Sequence, residues 1–81
     1  MLTNHHTFQP SGHYLISLGH VLVIEQAVGH CGGSEARTDK FRISHQDEDG
    51  YVVSQRVHRF LDIQTFMAEV HDANDNLRKT L

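Results

Sequence analysis

The sequence predicts an α+β fold: a small antiparallel β-sheet of about four strands in two hairpins, with one C-terminal amphipathic helix packed on one face. Three observations predict it. Apolar and β-branched residues crowd positions 13–28 around a Gly-His pair. Alternating segments flank the acidic turn Asp47-Glu48-Asp49-Gly50, and beyond Asp62 apolar side chains recur at steps of three and four. The 81 residues leave room for one domain, read as an N-terminal arm over 1–12 and a single α+β domain over 13–81.

Residues 1–12 are polar and turn-forming, with Pro10, Ser11 and Gly12 together, and have no sustained period, so they read as an irregular lead-in. The run His13–Val28 reads as strands near 13–18 and 21–28, closed by Gly19-His20 as a two-residue turn with glycine first. The competing reading is one helix capped by Ser11. Gly19 and the β-branched Ile16, Val21, Val23, Ile24 and Val28 weigh against it. This pairing sets Leu15, Leu22 and Ile24 on one face and Ile16, Leu18, Val21 and Val23 on the other. Both faces then need cover, and one helix covers one. The exposed side suits a homo-oligomer or protein partner, unless the arm folds over it. Residues 29–36, with Gly29, Gly32, Gly33 and Ser34, read as a loop.

In the second hairpin a Glu48-Asp49-Gly50 loop puts Asp47 opposite Tyr51, His45 opposite Val53, Ile43 opposite Gln55 and Phe41 opposite Val57. That register gathers Phe41, Ile43, Tyr51, Val53 and Val57 on one face. On the other it sets Arg42 against Arg56 and Lys40 against His58. Like charges directly opposed are unfavourable, so either a neighbouring acid such as Glu25 relieves them or an anionic partner does. Lys40, Arg42, Arg56 and His58 are therefore the candidate partner-binding residues. The helix has Asp62 as N-cap and Leu61 stapling onto Phe66. Its stripe is Ile63, Phe66, Met67, Val70 and Leu77 with Ala73 bridging, and Arg78 and Lys79 lie at the negative end of its dipole.

Composition narrows the function classes. One cysteine, Cys31, excludes an internal disulfide, so extra stability would come from a metal, a partner or self-association. A formal net charge of −3 argues against broad attraction to phosphate backbones, which leaves nucleic-acid binding through the basic sheet face as the lesser alternative. The stretch Tyr14–Ile24, broken by Ser17, Gly19 and His20, is too short to span a bilayer. No basic residue precedes Arg37, so no secretory signal is read and a cytoplasmic setting is expected.

No motif points to catalysis. His30-Cys31-Gly32-Gly33 places a thiol beside an imidazole, but adjacency in sequence does not make a nucleophile–base pair, and the glycines lack nucleotide-loop spacing. Asp47, Glu48 and Asp49 read as solvated turn carboxylates. Eight histidines invite a zinc reading through His20, His30, Cys31 and His45, as a third hypothesis. No paired ligand spacing supports it, and no cofactor or metal is expected.

The stretch Asp47-Glu48-Asp49-Gly50-Tyr51-Val52-Val53, followed by a helix, resembles the opening of HicB-type antitoxins, small regulators that occlude a toxin ribonuclease. The likeness covers seven residues, and the strand and glycine-containing segment which that family places before its helix are missing, so membership is not assigned. In general type, a compact and mildly acidic domain without an active site, the chain is similar to phage or mobile-element inhibitors such as anti-CRISPR proteins. The expectation is a non-enzymatic protein-binding module, an inhibitor or regulator, that docks an acidic protein surface on its sheet face.

Overall fold

A computed structural model describes the backbone of residues 5–31 and 34–80 and the side chains of residues 7–29 and 38–79. Four strands, β1 (His5–Ser17), β2 (His20–Cys31), β3 (Ser34–Gln46) and β4 (Val52–His58), form an antiparallel meander in the order β1-β2-β3-β4. The helix α1 (Ile63–Thr80) follows. The fold is the expected small α+β type, and β-branched residues fill the strands where the sequence concentrates them. No helix among the described residues is long and apolar enough to cross a membrane.

The details depart from the sequence reading at four places. Residues 5–12 are not an irregular lead-in: they extend β1 along β2, from His5 opposite His30 to Gly12 opposite Ile24, with a register shift between Pro10 and Gly12. Pro10 is tolerated because β1 is an edge strand. The first turn is Leu18-Gly19, one residue earlier than expected. Both have positive φ, 53° and 80°, the backbone of the two-residue turn whose twist matches the flanking strands. A second register shift makes Ile16 an extra residue between Leu15 and Ser17, so Leu15 pairs with Val21 and Tyr14 with Leu22, which moves Leu15 off the Leu22–Ile24 face, while Ile16 packs against the core.

The third departure is the loop expected over 29–36. β2 runs to Cys31 and β3 resumes at Ser34 opposite it, while Gly32 and Gly33 lie outside the described residues. The irregularity sits nearer the middle of β3, where Gln26 faces Phe41 but Val28 faces Arg37. Thr38 secures this bulge: its hydroxyl donates to the Ala27 carbonyl at 2.9 Å and accepts the Lys40 N–H at 3.2 Å.

The fourth departure matters most. The β3–β4 turn forms where expected, with Asp47 opposite Tyr51 and the Asp47 carboxylate accepting the N–H groups of Asp49 and Tyr51, each at 2.9 Å. Gln46 then faces Val52, but the next pair is His45 with Ser54. Val53 is an extra residue, a β-bulge, and beyond it every pairing shifts by one: Ile43 faces Arg56, Arg42 faces Val57 and Phe41 faces His58.

The core lies between the sheet and α1. Leu22, Ile24, Ile43 and Ala73 are buried at its centre, with Phe41, Phe66 and Val70 among the partly buried neighbours. Burial of each large aliphatic side chain contributes about 1.5–3 kcal/mol. Tyr14 meets Phe66 edge-on at 5.0 Å between ring centroids. Asp62 caps α1 as expected, its carboxylate accepting the Thr65 N–H at 2.8 Å, and Leu61 and Phe66 both pack on the core. The buried stripe is narrower than expected. Ile63 and Met67 are exposed, while Glu69 joins Ala73 and Leu77 inside. The short axis of the 49 × 27 × 16 Å molecule accommodates one sheet and one helix layer.

Candidate functional site

The bulge at Val53 separates the four basic residues expected to share a face. Arg42 lies on the side of the sheet away from the helix, where its Nε and Nη2 both reach Glu25 Oε1 at 3.0 Å and its guanidinium lies 4.0 Å over the Phe8 ring. Glu25 is thus the relieving acid the sequence offered. Arg56 and His58 point the other way, toward α1. Arg56 binds Asp72 and lies 3.4 Å from Glu69, and His58 Nε2 is 2.6 Å from Glu69 Oε1. Lys40 is exposed in the β3 bulge. No joint basic surface of Lys40, Arg42, Arg56 and His58 exists.

The helix-side cluster has a structural logic. Glu69 is 6% exposed, and a buried carboxylate without partners would be strongly unfavourable. The one-residue shift of β4 delivers a guanidinium and an imidazole to it. Glu69 lies three residues after Phe66 and four before Ala73, so its place on the buried stripe was readable from spacing alone, whereas its partners required the bulge.

At the other end of the sheet three side chains join the two hairpin tips. His20 Nε2 is 3.0 Å from Glu48 Oε2, and His20 Nδ1 is 2.9 Å from His45 Nε2. With neutral rings the chain has one consistent direction: His45 Nε2–H donates to His20 Nδ1, and His20 Nε2–H donates to Glu48. His45 Nδ1 is left as a buried acceptor with no hydrogen-bond partner. Burial holds the His45 pKa below the ordinary imidazole value, the adjacent His20 adds to this, and Asp47 opposes it. A Cβ at Gly19 would lie 3.1 Å from the Glu48 Cβ, so the tips also touch. Because Glu48 and His45 engage opposite nitrogens of His20, the trio is a hydrogen-bonded relay rather than a chelate.

Of the zinc candidates, His20 and His45 come together, and among the described residues no third ligand joins them; the His30 and Cys31 side chains lie outside the described residues. Among the described residues His71, Asp72 and Asp75 could hold a cation, but Arg56 engages Asp72 and Arg78 lies 3.9 Å from Asp75. The thiol–imidazole idea at 30–33 also falls outside the described side chains.

The remaining feature is the face of the sheet that α1 does not touch. The pairings arrange it in three rows across the strands: Leu15, Val21, Gln46 and Val52; then His13, Val23, Ser44 and Gln55; then Pro10, Glu25, Arg42 and Val57. Leu15 is 77% exposed and Val57 57%. Ser44 is buried there, its hydroxyl accepting from Gln55 Nε2 at 2.9 Å. The described part of the expected covering arm is instead strand β1, in the plane of the sheet. Comparison with family models, with curated proteins and with solved structures finds no match for this chain.

Proposed function

We propose that this chain is a non-enzymatic protein-binding module that acts by occluding a partner through the face of its sheet opposite the helix. One observation carries the reading: exposed Leu15, Val52 and Val57, with partly exposed Val21 and Val23 between them, lie on a sheet face with no second layer, in a domain that has already used its helix on the other side. The polar clusters support a structural use of the histidines, since His58, His20 and His45 serve contacts within the chain. No acidic partner surface is required, because Arg42 is matched by Glu25 and Arg56 by Asp72 and Glu69. The basic face that nucleic-acid binding would need is divided between two sides of the sheet. A cytoplasmic regulator or inhibitor of the phage or mobile-element type is the role such a module would serve.

Site-specific photocrosslinking in the producing cell tests the reading. A crosslinker at Val57 should give protein adducts that Leu15→Lys suppresses, and one at His71, on the exposed side of α1, should give few. Adducts confined to position 71, or none at 57, would refute it.

A further inference from the structure

We infer that the occupant of the uncovered face is a second copy of this chain, stacked sheet on sheet about a two-fold axis that runs parallel to the strands between β2 and β3. The inference rests on the reading of this face as a docking surface and names its partner. The strand order is the first ground. With β1-β2-β3-β4 in sequence, such an axis lays β2 over β3 of the second copy and β1 over its β4.

The rows then become self-complementary. Glu25 of one copy lies over Arg42 of the other, and Arg42 over Glu25, because these residues face each other across the β2–β3 pair that the axis bisects. In the row nearest the tips Leu15 lies over Val52 of the second copy, and Val21 over its Gln46. The opposite two-fold, perpendicular to the strands, would set Val21 over Glu25 and Gln46 over Arg42, so that neither charge meets an opposite charge of the second copy. The charge pattern therefore selects the first arrangement, and sheets stacked face to face keep their strands within about 30° of each other.

Area is the second ground. Strands about 4.8 Å apart that rise about 3.3 Å per residue make the four-strand part about 19 Å wide and about 23 Å long. The 12–13-residue β1, β2 and β3 extend beyond the 7-residue β4, so the face projects to roughly 700 Å². Because β1 lies over the shorter β4 of the second copy, the overlap is about 600 Å² and two stacked faces bury about 1,200 Å², at the lower end of the range of about 1,200–2,000 Å² typical of stable interfaces.

The sheet edges are the third ground, because they discourage the other way in which sheets associate. β1 carries Pro10 and two register shifts, and β4 is short and bulged at Val53. Both are devices that obstruct strand addition at an edge, and the face carries no such device.

Light scattering and sedimentation of the untagged chain across a dilution series test the inference. The wild type should be a dimer, and Leu15→Lys and Val52→Lys should each raise the dissociation constant at least about tenfold while leaving the far-ultraviolet circular dichroism unchanged. Glu25→Arg and Arg42→Glu should each dissociate the dimer, and the combined exchange should restore it, since both the internal and the intermolecular pairs return with reversed sign. A circular-dichroism melt of each single variant separates loss of the dimer from loss of the fold. A wild type that stays monomeric while the Val57 crosslinker captures a different protein would overturn the second copy and leave the docking face standing. A dimer indifferent to Leu15→Lys, with no capture at 57, would overturn both.

Discussion

Replacing Arg56 and Glu69 by alanine, singly and together, tests the β3–β4 register through its energetic consequence. The Arg56 Nε lies 3.4 Å from Glu69 Oε1. At an effective dielectric constant of about 20 a unit-charge pair at this distance attracts by about 5 kcal/mol before desolvation. The Arg56 side chain is 53% exposed and also engages Asp72, so water and a competing carboxylate cancel most of that attraction. A net coupling of about 1 kcal/mol remains, at the upper end of what partly exposed pairs give. Urea unfolding of the four proteins at one fixed concentration measures it as the failure of the two single effects to add. The companion cycle, Arg42 with Arg56, should couple by less than about 0.5 kcal/mol, because those side chains lie on opposite sides of the sheet. Additivity between Arg56 and Glu69, together with a repulsive coupling between the two arginines, would mean that Val53 is not bulged and would refute the register.

Three further outcomes follow from the same contacts. His45 binds a proton less readily folded than unfolded, so its contribution to stability is complete above about pH 6.5 and is lost as the pH falls below that value toward the lower folded pKa. His45→Gln, which keeps a hydrogen-bonding side chain, should flatten the decline of melting temperature on acidification, and an unchanged slope would contradict the assignment. Leu18 holds a left-handed conformation that favours asparagine or glycine. Leu18→Asn should therefore raise stability by about 0.5–1 kcal/mol and the melting temperature by a few degrees, whereas Gly19→Ala should lower it more than Gly50→Ala, since a side chain at 19 also meets Glu48. Hydrogen bonds from the Thr65 backbone, then its hydroxyl, depress the Asp62 carboxyl pKa, so its capping is complete above the ordinary aspartate pKa and fades as the pH falls toward its own. Asp62→Ala should lower helix content at neutral pH and Asp62→Ser should restore most of it, and equal spectra for all three would refute the cap.

The sequence by itself determined the element types and most of their order. Asp47 and Gly50 specify their turn through local hydrogen bonds and a positive φ, and Asp62 caps α1 with its own side chain, so each needs only its near neighbours. Tertiary structure decided which side each residue faces. A strand alternates sides at every residue, so the single extra Val53 turns Arg56 and His58 toward Glu69 and leaves Arg42 on the opposite side, and the extra Ile16 in β1 moves Leu15 off the core side and leaves Ile16 packed on the core. Local patterns carry no record of such a slip, because its energy lies in contacts between distant segments: Glu69 needs its cations and Ile43 needs its place under the helix. The candidate face appeared in the sequence only as a surplus of apolar residues for one helix to cover, and its rows took shape when all four strands were in register.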